Sequence, residues 1–231
     1  MNEEKATDEN ICFEAVIFDM DGTLIDSINA DFLAWQRLFA DYNKSLTFQD
    51  YIPLLGIRSF SVANDFLEIK DEEERKKALA DKLIYFREIV EELGINVIPY
   101  ADDFIRHLKE INIPLALATS SRRAKMKMVM EAVDLLSYFD VIVAGEDVTN
   151  GKPAPEIFLK AASMLRVQPE NCIVFEDAAN GVKAAKNANM KCVALASEHT
   201  GDLLGEADLV IDTFKDLKFA DVCDQLKKIP V

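Results

Sequence analysis

The sequence predicts an α/β protein, a Rossmann-like parallel sheet carrying a helical cap inserted after its first strand. Three observations predict it. Short, unbroken apolar runs recur along the chain, the pattern of strands buried on both faces. Segments of helical period lie between them, and strand alternating with helix argues for a parallel sheet covered by helices. One stretch near the N-terminus, about residues 27–95, is helical only and interrupts the alternation.

The first run is FEAVIF (13–18), which ends in Asp19-Met20-Asp21-Gly22-Thr23-Leu24. Later runs are IPLALAT (113–119), DVIVAG (140–145), CIVFED (172–177), KCVALA (191–196) and DLVID (208–212). Helix-period segments fall at 100–111, 121–136, 155–166, 179–188 and 215–228. In the interrupting stretch, DFLAWQRLFADY and DEEERKKALADKLIYFREIVEELG are helical by period and propensity, with Gly94 as the expected C-cap. With no repeat and no Ser/Gly linker, the joints are expected to be short hinges near 26–29 and 94–99. The expected domains are a core of residues 1–28 and 96–231 and a cap of residues 29–95.

The 231 residues include 41 Asp and Glu against 26 Lys and Arg, a net charge of −15. Such acidity repels phosphate backbones and anionic membranes, so nucleic acid and membrane are not expected partners. An anionic substrate would need a local cation to receive it. Half the residues are apolar, and a chain of this length buries roughly 70 % of its unfolded surface, so no structural metal or disulfide is needed. Cys12, Cys172, Cys192 and Cys223 stand apart without a C-x-x-C pair, which argues against zinc; Cys172 and Cys192 lie in apolar runs as expected core thiols. A polar, acidic N-terminus lacks a signal peptide, and no apolar stretch approaches the ~20 residues of a membrane span, so the expected setting is the cytoplasm. A monomer is expected. Of the two histidines, His107 falls in the helical DDFIRHLKEI and His199 in the loop-like SEHTGD. Neither has the surroundings of a catalytic base, which leaves acid–base chemistry to carboxylates.

Four constellations carry chemistry. Asp19 and Asp21, spaced i and i+2 after a buried strand, can point into one cleft beyond the strand ends. Two acids held close suit a nucleophile beside a general acid–base, and Gly22 lets the backbone turn tightly. On its own such a turn could equally cap a helix. Thr119-Ser120 ends the run LALATSS, where hydroxyl and N–H donors suit a phosphate oxygen or an N-cap. Lys152, between Gly151 and Pro153 and just before a helix start at Pro155-Glu156, sits in a restrained loop rather than on a free surface. Glu176-Asp177 ends another strand, and such hard oxygens suit Mg²⁺ or the positive end of a helix.

In this order the motifs resemble the haloacid-dehalogenase-like hydrolase superfamily, whose signature is strand-D-x-D-G-T/V-L. The resemblance covers nearly the whole chain. Within the superfamily it looks most like the branch containing β-phosphoglucomutase and sugar-phosphate phosphatases. It implies that Asp19 is a nucleophile forming an aspartyl-phosphate and Asp21 the general acid–base. The presence of the second acid argues against C–halogen chemistry. It also implies that Thr119, with the Ser120 backbone, binds the transferring phosphoryl group and that Lys152 neutralises nucleophile and phosphate. Mg²⁺ would be held by the Asp19 carboxylate, the Asp21 carbonyl, Asp177, and Glu176 directly or through water; Gly181 also fits the pattern. Helical insertions at this place are lids in the family. Arg58 is either a clamp for a distal acid or a solvated charge. Mutase members carry a His where Asp31 stands and Gly-x-Ser-Arg where this chain has Gly56-Ile57-Arg58-Ser59. An acid at position 31 is expected to repel a second phosphate. The expected function is therefore a Mg²⁺-dependent phosphatase for a small phosphorylated metabolite, most readily a sugar phosphate. A β-phosphoglucomutase-type mutase is the alternative, and a non-catalytic binding protein a more remote one.

Overall fold

The computed structural model describes residues 13–196 and 204–227. Six parallel strands form one sheet: β1 (Ala15–Phe18), β2 (Leu115–Ala118), β3 (Val141–Val143), β4 (Cys172–Glu176), β5 (Lys191–Leu195) and β6 (Leu209–Ile211). They are ordered β3-β2-β1-β4-β5-β6. The six predicted runs are these strands, each slightly shorter than its run. Between β1 and β4 the order reverses, and ligands in open parallel sheets bind at such a switch point, beyond the carboxyl ends of the strands.

Because side chains alternate along a strand, each strand contributes to two cores. Val16, Phe18, Leu115, Leu117, Ile173 and Phe175 face α5 (Ala101–Glu110), α6 (Arg123–Ala132) and α9 (Phe219–Lys227). Ala15, Ile17, Ala116, Ala118, Cys172 and Val174 face α7 (Glu156–Leu165) and α8 (Ala179–Asn187). Phe175 stacks on Phe18 at 5.0 Å between centroids. The predicted helix 121–136 is the one that differs most. It runs only over α6, because Val133 breaks helical backbone and a separate 3₁₀ turn covers residues 136–138. Cys172, Cys192 and Cys223 are buried and free. Cys12 and His199 lie outside the described residues. His107, half-buried on α5, accepts a hydrogen bond at Nε2 from the Phe219 N–H. Among the described residues no helix is long and apolar enough to cross a membrane.

The stretch after β1 holds α1 (Ile28–Asp41), α2 (Phe48–Tyr51), α3 (Ser59–Asp65) and α4 (Glu72–Leu93), and no strand. Gly94 does end α4, at φ 80°. The two connections to the sheet run side by side: Asp26 N–H donates to Asn96 O and Ile98 N–H to Leu24 O. Near these connections, Ala30, Ala34, Phe86 and Ile89 join the core of the sheet. Farther out, Trp35, Leu38, Phe39, Val62, Ala78 and Leu79 form a separate apolar cluster, which Ala178 is the one described buried core residue to enter.

Charged residues occupy the apolar stripes where α1, α4 and α6 meet. The Asp31 carboxylate accepts Lys82 and Lys125 at 2.6 Å each and the Tyr51 hydroxyl at 2.9 Å. Burial pushes the Asp31 carboxyl up, but Lys125 and Lys82 outweigh it and hold the group below the usual carboxylate range. Removing one partner of a buried ion pair strands the other. Asp31→Ala should therefore cost about 3 kcal/mol in denaturant unfolding; a loss below about 1 kcal/mol would show the network adds little to stability.

Candidate active site

The carboxyl end of β1 carries Asp19, and the chain then doubles back. Leu24 and Ile25 N–H groups both donate to Met20 O, and Gly22 N–H donates to Ile25 O. Gly22 adopts φ 83°, and a Cβ there would stand 2.1 Å from Asp177 Oδ2. Only glycine lets this turn approach the end of β4 so closely.

Lys152 is the centre of the site. Its ammonium, fully buried, lies 2.6 Å from Asp19 Oδ1 and 2.6 Å from Glu176 Oε1, with the Phe158 ring 4.8 Å away. Burial disfavours the cation, but the carboxylates of Asp19 and Glu176 more than offset this and hold Lys152 above its ordinary value. Glu176 is engaged at both oxygens, since Oε2 accepts the N–H groups of Asp177 and Ala178 at 2.8 and 3.0 Å. A Cβ on Gly181 would stand 1.7 Å from Glu176 Oε1, so α8 can begin here only with glycine at that position.

Asp177 is different. Thr23 Oγ1 donates to Oδ1 at 3.0 Å, while Oδ2 is buried and has no hydrogen-bond partner. Oxygens of Asp19, Glu176 and Asp177 lie within 4.8 Å of one another. Burial, and next the charges of Glu176 and Asp19, push Asp177 well above the usual carboxylate range. Burial likewise raises Asp19 to about 7 against the pull of Lys152. An orphaned acceptor among clustered hard oxygens suits a small divalent cation. Because Glu176 is spent on Lys152 and two backbone N–H groups, Asp19 and Asp177 are the acids with an oxygen to offer.

Asp21 takes three donors: Ser27 Oγ at 2.5 Å and Lys125 Nζ at 2.7 Å on Oδ1, and Ser121 Oγ at 2.6 Å on Oδ2. Thr119 is buried and accepts the Ser121 N–H at 3.0 Å. Neither Thr119 nor Ser120 caps α6, whose N-cap is Arg122. Ser120 Oγ instead donates across to Gly56 O at 2.6 Å.

Asp19, Asp21, Thr119, Ser120 and Asp177 line one pocket with Asp31, Trp35, Tyr51 and Ile57 above them. Its volume is about 50 Å³, and among the described residues no Lys, Arg or His lines it. Asp31 lies in the pocket, but the repulsion expected of it does not follow, because Lys82 and Lys125 neutralise it. Arg58 lies outside the lining and its guanidinium donates to the carbonyls of Val148 and Thr149. It borders a neighbouring cleft of about 260 Å³ with Lys76 and Arg122.

Sequence reasoning missed Ser27, Tyr51, Lys82, Ser121 and Lys125. A signal existed for the lysines. Lys82 continues the buried stripe Ala78-Leu79-Phe86-Ile89, and Lys125 stands beside Met126, Val129 and Met130.

A phosphorylated-carbohydrates phosphatase of Thermotoga maritima is 37% identical over 204 residues, covering 85% of this chain and 92% of its own length. Validoxylamine A 7'-phosphate phosphatase of Streptomyces hygroscopicus subsp. limoneus is 30% identical over 225 residues, covering 91% and 98%. The crystal structure of β-phosphoglucomutase from Clostridium difficile matches with a TM-score of 0.84 at 29% identity, over 94% of this chain and 98% of that one. The model of the haloacid dehalogenase-like hydrolases matches residues 16–195, which hold all four acids and Lys152, and the chain belongs to that family.

Proposed function

We propose that this protein is a Mg²⁺-dependent phosphatase of small sugar monophosphates that works through an aspartyl-phosphate on Asp19. The observation that carries this reading is the buried Lys152, held between Asp19 and Glu176, beside an Asp177 with one unsatisfied oxygen. Asp19 attacks phosphorus in line while the bond to the leaving oxygen breaks. Lys152 offsets charge on the phosphoryl oxygens, and Thr119 with the Ser120 backbone holds them. Asp21, a carboxylate in the closed site, would take up a proton as substrate binds, give it to the leaving oxygen, and then take one from the water that hydrolyses the aspartyl-phosphate. Asp19 and Asp177 would hold Mg²⁺, with the Asp21 carbonyl; when bound, the ion supplies electrostatic stabilisation of the transferring phosphoryl group. Glu176 serves by fixing Lys152.

The pocket supports a monophosphate. A volume of about 50 Å³ admits a few waters, at ~10–15 Å³ each, and no sugar phosphate enters without movement of the helical layer above. Residues 29–95 therefore act as a lid that opens for substrate and closes over it. Asp21 and Asp31 are balanced by Lys82 and Lys125, and no cation of the lining is left to receive a second phosphate. The leaving group is accordingly uncharged, and water is the acceptor rather than a returning sugar phosphate.

Asp19→Asn should reduce phosphate release to background in a protein that still melts cooperatively, because the amide has nearly the same shape and is a poor nucleophile. Normal turnover by this variant would refute the nucleophile. Excess chelator should stop turnover and added Mg²⁺ restore it, and Asp177→Ala should lose the response to Mg²⁺; full activity in chelator would reject the metal. Given β-glucose 1-phosphate, Mg²⁺ and a trace of glucose 1,6-bisphosphate, the protein should release inorganic phosphate and make little glucose 6-phosphate. Rapid isomerisation with negligible phosphate release would favour the mutase instead.

A further inference from the structure

Lys125 belongs to α6, three residues beyond Arg122, and sequence motifs assign it nothing. Its side chain is 6 % exposed, and its ammonium lies 4.5 Å over the Phe86 ring of α4. It is shared between two carboxylates, Asp21 Oδ1 at 2.7 Å and Asp31 Oδ1 at 2.6 Å. Asp21 has two other donors, Ser27 and Ser121. Of the three, only Lys125 also bonds the Asp31 carboxylate, at the same Oδ1 that accepts Lys82 of α4, whereas Ser27 meets Asp31 through its backbone carbonyl.

We propose that Lys125 is a positioning residue for Asp21, and that through Asp31 it ties the placement of that carboxylate to the helical layer. The proposal rests on Asp21 being the acid–base of the phosphatase reading. An ion pair made only for stability would affect all substrates alike. A positioning role has a different signature. In the first half-reaction the Asp19 oxygen–phosphorus bond forms, the phosphorus–leaving-oxygen bond breaks, and a proton passes from Asp21 to the leaving oxygen. A sugar alkoxide needs that proton, whereas p-nitrophenolate leaves as the anion. A misplaced Asp21 therefore harms sugar phosphates and spares the activated aryl ester.

The test compares kcat/KM, which reports the first half-reaction, for p-nitrophenyl phosphate and a sugar phosphate. The sugar phosphate is whichever of glucose 1-phosphate, glucose 6-phosphate and fructose 1-phosphate the wild type hydrolyses fastest. General acid–base catalysis contributes ~10²–10⁴-fold in rate, and Lys125→Met should forfeit part of it. We expect a loss of about 10- to 100-fold on the sugar phosphate and at most about threefold on the aryl ester. Lys125→Arg, which keeps a cation for both carboxylates, should recover most of the sugar-phosphate activity. Asp31→Asn should shift the ratio of the two activities in the same direction by a smaller factor. Equal losses on both substrates, in a variant that still melts cooperatively, would overturn the role of Lys125. If Lys125→Met does not melt cooperatively, Lys125→Gln, which keeps a polar hydrogen-bond donor, takes its place, and equal losses there overturn the role in the same way. An unchanged ratio in Asp31→Asn would overturn the link to the helical layer. A wild type that releases phosphate from none of these esters would instead overturn the phosphatase reading, and this proposal with it.

Discussion

The site depends on a fully buried lysine ammonium. Removing a charge from solvent is expensive, and Lys152 is tolerated behind Asp19 because two carboxylates meet it at 2.6 Å. That requirement reaches outward through the fold. Asp19 must end β1 and Glu176 must end β4, so these strands must be neighbours at the switch point. The loop after β3 must turn back to deliver Lys152. Gly181 must lack a side chain so that Glu176 can lie against the first turn of α8. Two backbone N–H groups then occupy the second oxygen of Glu176 and fix its direction. The sheet supplies a frame in which charges that would repel or stay hydrated are held in one arrangement.

The same logic explains how a chain of net charge −15 can receive an anion. Most acids at the pocket are matched locally. Lys152 meets Asp19 and Glu176, while Lys125 and Lys82 meet Asp21 and Asp31. What remains unmatched is Asp177 Oδ2. With oxygens of Asp19 and Glu176 within 4.8 Å, that is where a divalent cation would be most effective.

Much of the fold was legible because buried parallel strands read as short continuous apolar runs, and all six fall within the predicted segments. The acids and Lys152 were legible because they lie in dense local patterns, each next to a strand end or a helix start. Two kinds of feature were not. Lys82 and Lys125 each lie alone in an apolar stripe, and a single lysine there can equally lay its stem on the core and lift its head into water. Only the crossing of α1, α4 and α6 reveals the acid each one meets. The division of labour at Glu176-Asp177 was also hidden. Adjacent acids look equivalent in a sequence, and it is the backbone after β4 that directs one to Lys152 and leaves the other an open oxygen.

The attachment of the helical layer is asymmetric, and the asymmetry suits opening. On the side of the chain connections, Ala30, Ala34, Phe86 and Ile89 are embedded in the core of the sheet, so parting there would expose apolar surface. Across the mouth of the pocket the contacts are mostly polar. Ser120 donates to Gly56 O, Asn180 to the carbonyls of Pro53 and Leu55, and Arg58 to those of Val148 and Thr149. Each such bond is worth about 0.5–1.5 kcal/mol net, because water replaces it on opening. Ala178 is the one described buried core residue in the outer apolar cluster. In the proposed lid motion, apolar packing at one edge would serve as the hinge and exchangeable hydrogen bonds at the other as the latch. Between them lies Lys125, bonded to the sheet side through Asp21 and to the layer through Asp31. Any swing about the hinge changes what that ammonium can reach.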